Sequence, residues 1–271
     1  MIHIATVHHL SDKWIDIQLK YINKYIKSPY RIYAFLNGIK KDHSEKFYFS
    51  IKDNIKPHAE KLNILANKIC EIAHNDDLIM FLDGDAFPIQ EMDDFLNQKL
   101  QQFPILAVKR NIDFGDLNPH PSFCVCKVSF WKEINGDWSK GYCWKNEITN
   151  RSLTDVGGNL LKILIDKNIS WFPMIRTNQL NVHPQWFAIY GNLIYHHRAG
   201  FRQPISKIDT HLIESKFTWI DQILSRIILV RRLLYSKMYR DNIKLSEQTF
   251  NLIEKDFNFC ENLGLINKKV D

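Results

Sequence analysis

Short apolar runs alternate with helix-forming segments near the start of the chain, and this alternation constrains the fold more than any other feature. The run "MIHIATVHHL" predicts a buried strand, and "HLSDKWIDIQLKYINKYI" predicts an amphipathic helix that begins at Ser11 or Asp12. A second strand, "YRIYAFLNG", ends at Asn37 and Gly38, and a further helix separates it from the apolar run "LIMFL". Strand, helix and strand form the unit of a parallel sheet, so we expect an α/β fold.

The rest of the chain continues this pattern and then changes. The stretches "PILAVKRNI" and "SFCVCKVSFW" predict extended segments, and "DVGGNLLKILIDKN" predicts another helix. From Ile208 to Asp271 there is no proline and little glycine. We therefore expect one α/β domain over residues 1–205 and a helical extension over residues 206–271.

Composition and charge narrow the class of protein. The chain has 271 residues, of which 45% are hydrophobic, so it can bury a sizeable core. Its formal net charge of +6 favours anionic partners, which include nucleic acid, phosphate esters and acidic lipid. Five cysteines without a CxxC pair indicate neither a disulfide framework nor a structural zinc site. With no leader-like start and no long apolar run, we expect a cytoplasmic protein without a membrane span.

Two aspartates stand one residue apart in "LIMFLDGDAFPI", where the apolar run ends. In an open parallel sheet, ligands bind beyond the carboxyl ends of the strands, which is where Asp83 and Asp85 fall. Two carboxylates this close repel each other unless a cation offsets their charge, and a hard divalent ion that also holds a diphosphate does so. The alternative is an ordinary polar turn. The apolar residues before and after the aspartates favour a site.

The stretch "LIMFLDGDAFPI" resembles the DxD-bearing strand of metal-dependent glycosyltransferases, the nucleotide-diphospho-sugar transferases of the GT-A fold. The resemblance implies a Rossmann-like, mixed and mainly parallel sheet flanked by helices, with residues 1–205 as the catalytic domain. It also implies that Mn2+ or Mg2+ holds the diphosphate of a nucleotide sugar, with a UDP-sugar favoured. Asp85 would then be the main metal ligand, and Asp83 would reach the metal or the ribose.

A second stretch, "YHHRAGFRQP", is similar to a late His-x-x-Gly loop in the glycogenin-like retaining branch of that superfamily. There the histidine completes the metal shell, and His197 and Gly200 match the spacing. The following basic residue is displaced by one position, which leaves the choice between His196 and His197 open. Arg198 and Arg202 would neutralise the donor phosphates, because guanidinium groups bind phosphate bidentately.

The same resemblance nominates donor-binding residues. The first strand of such enzymes ends near the nucleotide base, which points to Thr6, Val7 and His8. Lys61 and Asn63 lie on the helix before the DxD strand, where these enzymes place groups that touch the nucleotide or the sugar. The alternative is that Lys61 and Asn63 are ordinary exposed surface residues, which their residue types favour equally.

The resemblance also suggests where the transfer chemistry lies. Asp155, in "RSLTDVGGNLL", is the candidate carboxylate that contacts the transferred sugar or deprotonates the acceptor hydroxyl, although aspartate also suits a helix N-cap. The stereochemistry stays open. Aromatic and polar side chains suit the faces and hydroxyls of a sugar, so His120, Phe123 and Trp144 are candidates for the acceptor cleft, with core packing as the alternative.

The leading hypothesis is thus a glycosyltransferase that moves a sugar to a glycan, a lipid-linked sugar or a protein hydroxyl. A haloacid-dehalogenase-type phosphotransferase fits less well. In that class the aspartate pair lies near the N-terminus and is followed by Gly-Thr or Gly-Val, whereas here it lies at Asp83 and Asp85 and is followed by "AFP". A basic binding protein is the non-enzymatic alternative. No glycine-rich loop or zinc-finger spacing indicates nucleic acid. The basic stretch "VRRLLYSKMYR" is predicted to be the solvated face of a packed helix, with peripheral contact at the inner membrane face as the alternative.

Overall fold

The secondary structure alternates between strands and helices over the first half of the chain. The structure is a computed structural model, and it describes residues 1–111, 115–148, 150–178, 187–198, 201 and 217–262. The strands within these residues are β1 (Ile2–His9), β2 (Tyr30–Asn37), β3 (Phe49–Ile51), β4 (Leu78–Asp83), β5 (Ala86–Pro88), β6 (Ile105–Val108), β7 (His120–Lys127), β8 (Trp144–Lys145), β9 (Ser152–Leu153), β10 (Phe172–Met174), β11 (Ala188–Tyr190) and β12 (Ile194–His196).

Eight α-helices accompany these strands within the same described residues. They are α1 (Ile15–Tyr25), α2 (His58–Ile72), α3 (Asp93–Leu100), α4 (Val128–Ile134), α5 (Gly158–Asp166), α6 (Trp219–Leu224), α7 (Ile228–Lys255) and α8 (Phe259–Asn262). None of these described helices combines the length and the hydropathy that a membrane crossing requires.

Seven strands form the main sheet in the order β10-β6-β7-β4-β1-β2-β3. Strand β7 runs antiparallel to both of its neighbours, and every other pair in the sheet is parallel. The predicted mixed, mainly parallel α/β sheet is confirmed, as is the helical character of the C-terminal region. Strand β1 pairs with β2 on one side and with β4 on the other, so the chain reverses its direction of travel across the sheet at β1.

The core lies between this sheet and the helices that pack on it. Strands β1, β2, β4 and β7 are buried almost throughout, as strands covered on both faces are. Helices α2, α4 and α5 supply the other side of the core cluster, through Leu62, Leu65, Ile69, Trp131, Ile134, Leu160 and Leu164. Fully burying one such side chain contributes about 1.5–3 kcal/mol.

The chain divides into two compact units. The first comprises Met1–Arg176 and Tyr190–His196, and it contains the whole seven-stranded sheet. The second comprises Thr177–Ile189 and His197–Asp271. Within it, α6 begins with a capping box, in which Thr218 Oγ1 accepts from the backbone N–H of Asp221 at 3.2 Å. The predicted boundary at residue 205 lies outside the described residues and stays a prediction.

Two details of the predicted elements were wrong. Helix α1 begins at Ile15 after Trp14, without a side-chain cap from Ser11 or Asp12. The stretch "SFCVCKVSFW" is extended only to Lys127, and helix α4 follows. Its buried residues Val128, Trp131 and Ile134 recur every three positions, which is a helical spacing that the apolar run concealed.

Three neighbouring residues of β7, Phe123, Cys124 and Cys126, have side chains in the core. Phe123 is fully buried and pairs with Leu82 of β4, which favours core packing, the alternative to its nomination for the acceptor cleft. Cys124 and Cys126 are also fully buried, and burial raises the pKa of both thiols.

Phe123→Ala is expected to lower the free energy of unfolding by about 3–5 kcal/mol, because it leaves a cavity inside the sheet. Chemical denaturation measures this change. Trp219→Ala is the matched control, because that side chain is 70% exposed and its removal should cost little. A Phe123 variant that keeps wild-type stability would return the residue to the cleft.

Candidate metal centre

The two aspartates of the DxD stretch lie where β4 ends. Asp83 is the last residue of β4 and pairs with Val7 of β1, and β5 begins one residue after Asp85. Both carboxylates are partly buried. They stand at the carboxyl ends of β1 and β4, between which the strand order reverses, and open α/β sheets bind their ligands at such a point.

Gly84 separates the two aspartates because no side chain fits there. A Cβ atom at this position would lie 2.6 Å from the carbonyl oxygen of Val7 and 2.7 Å from Nδ1 of His8. Both distances are far below van der Waals contact. The glycine therefore lets the turn close against the end of β1, and this closure aims the two carboxylates.

The pairing of β12 with β5 brings a histidine to the aspartates. The two strands run antiparallel and place His196 opposite Ala86, the residue after Asp85. Nε2 of His196 lies 3.2 Å from Asp85 Oδ1 and 3.6 Å from Asp83 Oδ2. Ligand atoms of Asp83, Asp85 and His196 all lie within 4.8 Å of one another.

His58, which the sequence analysis missed, contacts the same site. It is the first residue of α2, and its Nε2 lies 3.1 Å from Oδ1 of Asp83. The two oxygens of Asp83 therefore face two different histidines. Nothing in the sequence around "KPHAEK" indicates this contact, because it depends on where α2 starts relative to the end of β4.

Gln18 of α1 stabilises the turn that carries Asp83 and Asp85. Its side-chain nitrogen donates to the carbonyl oxygens of Asp83 and Ala86, both at 2.8 Å, and its Oε1 accepts from Thr6 Oγ1 at 3.0 Å. Both side chains are fully buried. Thr6, nominated for the nucleotide base, thus supports the turn through Gln18. The signal was present in the sequence, since Gln18 interrupts the apolar face that Ile15 and Ile22 define.

His8 and Lys61 lie beside the same strand ends and are almost completely buried. Burial lowers the pKa of His8 to about 4, against the opposing effects of Asp85 and of a hydrogen bond with Gln18, so the imidazole is neutral at pH 7. Burial also lowers the pKa of the Lys61 ammonium. Lys61 follows His58 by one helical turn, and no ion pair joins it to any residue in the described ranges.

The other donor candidates have different surroundings. Val7 is a buried strand residue whose carbonyl oxygen packs against Gly84. Asn63 spans from α2 to the loop after α4, where its amide donates to Asp137 Oδ1 at 2.7 Å and accepts from the backbone N–H of Trp138 at 2.9 Å. Through these two hydrogen bonds, the Asn63 side chain fixes the loop to α2.

Asp155 belongs to a separate group of charges. Its Oδ2 lies 2.9 Å from Nη2 of Arg110, which also lies 2.7 Å from Asp116 Oδ2, and its Oδ1 lies 3.5 Å from Lys140. Burial raises the pKa of Asp155, but the Arg110 charge and hydrogen bonds outweigh it, and the net pKa is lowered. The N-cap of α5 is Gly157, with φ of 88°, rather than Asp155.

The acceptor candidates separate in the structure. The ring centroid of His120 lies 6.4 Å from that of His196, so His120 borders the cluster. Its Nδ1 accepts from the backbone N–H of Ser122 at 3.1 Å. Trp144 is buried in the short β8–β9 hairpin, opposite Leu153.

The two adjacent histidines of the His-x-x-Gly loop lie in different surroundings. The structure places His196 at the aspartates, whereas His197 belongs to the second unit and stacks on Phe201 with ring centroids 4.7 Å apart. Neighbouring residues of an extended chain point to opposite sides, which separates the two imidazoles. Arg198 adopts a left-handed backbone with φ of 63°. Arg202 and Gly200 lie outside the described residues.

The donor set at this site fits a divalent cation. Two carboxylates and one imidazole converge, and a divalent cation would offset the repulsion between two carboxylates this close. An imidazole ligand favours Mn2+ over the harder Mg2+, which prefers oxygen. Asp83, Asp85 and His196 would hold the ion.

Comparison with known proteins gives structural similarities only. No protein-family model matches the sequence, and no curated protein matches it. The fold is similar to the mannosyltransferase PcManGT from Pyrobaculum calidifontis, in complex with GDP-Man and Mn2+, with 9% identity over 67% of this chain and 58% of that one and a TM-score of 0.43. It is also similar to the glycosyltransferase GlyE from Streptococcus pneumoniae, with 11% identity over 64% and 44% and a TM-score of 0.40.

A third similar structure is TarS from S. aureus, with 11% identity over 51% of this chain and 30% of that one and a TM-score of 0.38. The chain therefore spans less than two thirds of the length of each of these proteins. All three TM-scores lie below 0.5, so the function proposed below is inferred from the residues of the site.

His196→Gln is expected to weaken Mn2+ binding by about 10- to 100-fold, because it removes one of three converging ligands. Calorimetric titration with Mn2+ measures the change. His197→Gln is the control and should bind Mn2+ as the parent does. The opposite ranking of the two variants would assign the ligand role to His197.

Gly84→Ala is expected to weaken Mn2+ binding at least as strongly, although it removes no ligand. The added methyl group must displace either the end of β1 or the turn that carries both aspartates. Titration with Mn2+, with a thermal unfolding curve to show that the fold persists, tests this. Parent-like metal affinity would mean that the turn absorbs the clash without moving the carboxylates.

Proposed function

We propose that this protein is a glycosyltransferase that moves a sugar from a nucleotide-diphosphate sugar to a hydroxyl acceptor. One observation carries the proposal: Asp83, Asp85 and His196 converge beyond the carboxyl ends of β1 and β4, at the reversal of the strand order. The DxD resemblance in the sequence agrees with this placement. A UDP-sugar is the favoured donor, and a glycan, a lipid-linked sugar or a protein is the acceptor class.

The metal site would serve the leaving group. A bound Mn2+ would supply positive charge to the diphosphate as it departs. The protein's part is to fix the ion and to keep its ligands aligned. Gln18 and Gly84 set the turn, and His58 holds one oxygen of Asp83 so that the other faces His196.

The donor pocket would use the buried groups beside the cluster. Lys61 offers a positive charge without an ion-pair partner among the residues described, which suits a phosphate or a sugar hydroxyl. His8 offers a neutral imidazole, and no described residue forms a hydrogen bond with its buried Nε2. A buried polar atom without a partner is costly, and a bound donor would remove that cost.

Asp155 would position a substrate rather than abstract a proton. Arg110 and Lys140 neutralise its charge, and its lowered pKa makes it a poor base at neutral pH. The carboxylate, 38% exposed, can still accept a hydrogen bond from a sugar hydroxyl. Arg110 would fix the orientation of the carboxylate in that role.

Binding of nucleotide diphosphates and nucleotide sugars tests the proposal. Calorimetry with a panel of both, first with Mn2+ and then with a chelator, should show binding that needs the metal. Asp85→Asn should abolish this binding, because it removes a ligand and half of the local negative charge. Binding that is unaffected by the chelator and by Asp85→Asn would contradict the metal assignment.

Lys61→Met separates the donor from the metal in the same experiment. This variant should weaken nucleotide-diphosphate binding by about tenfold or more while Mn2+ binding alone stays unchanged. Lys167→Met, at an exposed position, is the matched control. If no nucleotide binds to the parent protein, the proposed transfer function is wrong.

A further inference from the structure

The second unit exposes an unusual concentration of large apolar side chains. They lie in and between α6 and the first turns of α7, and Trp219, Ile228 and Leu229 are each 70% exposed. The complete set is Trp219, Ile220, Ile223, Leu224, Ile227, Ile228, Leu229 and Leu233. We refer to these eight residues as the apolar cluster. Exposed apolar residues concentrated in this way mark an interaction surface, because isolated ones are normal but grouped ones are not.

Basic residues accompany the apolar cluster. Residues 217–240 contain five of them and a single acidic residue, Asp221. The basic residues are Arg226, Arg231, Arg232, Lys237 and Arg240. The apolar side chains dominate the first half of this stretch, and the charges dominate the second. We call residues 217–240 the basic–apolar segment.

The packed part of helix α7 lies away from the apolar cluster. The basic stretch Val230–Arg240 is predicted to be the solvated face of a packed helix, and this interpretation stays a prediction. Helix α7 does bury Ser246, Thr249 and Ile253 further along, but its first turns leave Ile228, Leu229 and Leu233 exposed. The packed part of the helix is therefore its second half.

We propose that the basic–apolar segment docks on an anionic membrane surface. The apolar cluster would enter the boundary between headgroups and acyl chains, with Trp219 at the interface that tryptophan prefers. The arginines and Lys237 would meet anionic headgroups. Charge complementarity favours this occupant over a second copy of the chain, because two copies would bring like charges together. The segment lies on the membrane rather than in it, since no described helix can cross one.

Cosedimentation of the full chain with vesicles tests the proposal. Vesicles of phosphatidylcholine with about one third phosphatidylserine should pellet the protein, and pure phosphatidylcholine should pellet much less. Raising the NaCl concentration from about 0.1 M to about 0.5 M should reduce binding to the anionic vesicles. Equal binding to both kinds of vesicle, or none to either, would overturn the proposal.

Two variants assign the binding to the segment. Ile223→Ser/Ile227→Ser/Ile228→Ser should lower the partition coefficient about tenfold or more, because it removes inserted apolar surface. The matched control replaces three exposed isoleucines of the first unit, Ile72, Ile165 and Ile175, and should bind as the parent does. An equal loss in both triple variants would overturn the assignment.

Arg226→Ala/Arg232→Ala tests the electrostatic part, with an expected loss of about fivefold for each arginine. Lys145→Ala/Lys167→Ala removes the same charge from exposed positions elsewhere and should change little. Sedimentation velocity tests the competing explanation, that a second copy of the chain covers the basic–apolar segment. A parent dimer that the isoleucine variant converts to monomer, without vesicle binding, would show that a second copy covers the segment. The result is independent of transfer activity, so the two proposals can fail separately.

Discussion

The parallel pairing of β1 with both β2 and β4 is the constraint on which the rest of the structure depends. The chain moves away from β1 in one direction and later returns on its other side, so the strand order reverses between β1 and β4. Side chains at the carboxyl ends of these two strands therefore meet at one edge of the sheet. His8 and the two aspartates lie there for that reason, and the helices α1 and α2 are brought to the same place by packing on these strands.

The charges of the first unit follow two different patterns. Asp116 and Asp155 share Arg110, so their negative charge is already compensated inside the protein. Asp83 and Asp85 converge with the imidazole of His196, and Asp83 also contacts His58. The first arrangement pairs carboxylates with a guanidinium, whereas the second brings together the ligand types that a divalent cation binds. This contrast distinguishes the candidate metal site from the Arg110 ion pairs more clearly than burial does.

The sequence predicts the sheet and the position of the aspartates because both depend on local patterns: apolar runs, helical spacing and the end of a strand. It predicts less where the decisive contact joins distant segments. His58 reaches Asp83 through the starting point of α2, and the register of β12 selects His196. At Phe123 the local pattern is ambiguous, because an aromatic residue beside polar neighbours is typical both of a sugar-binding cleft and of a core. The pairing of β7 with β4 and the full burial of the side chain favour the core.

The antiparallel register of β12 against β5 also determines how the candidate site tolerates changes in chain length. Residues Gly191–Leu193 form the turn that precedes β12. Loss of one residue there would shift the strand and bring His197 opposite Ala86, so an imidazole would still face the aspartates. Gain of one residue would bring Tyr195 there instead, and a phenol would replace the imidazole. The adjacent histidines therefore make the site robust to a deletion and vulnerable to an insertion, an asymmetry that would guide how this segment diverges in length.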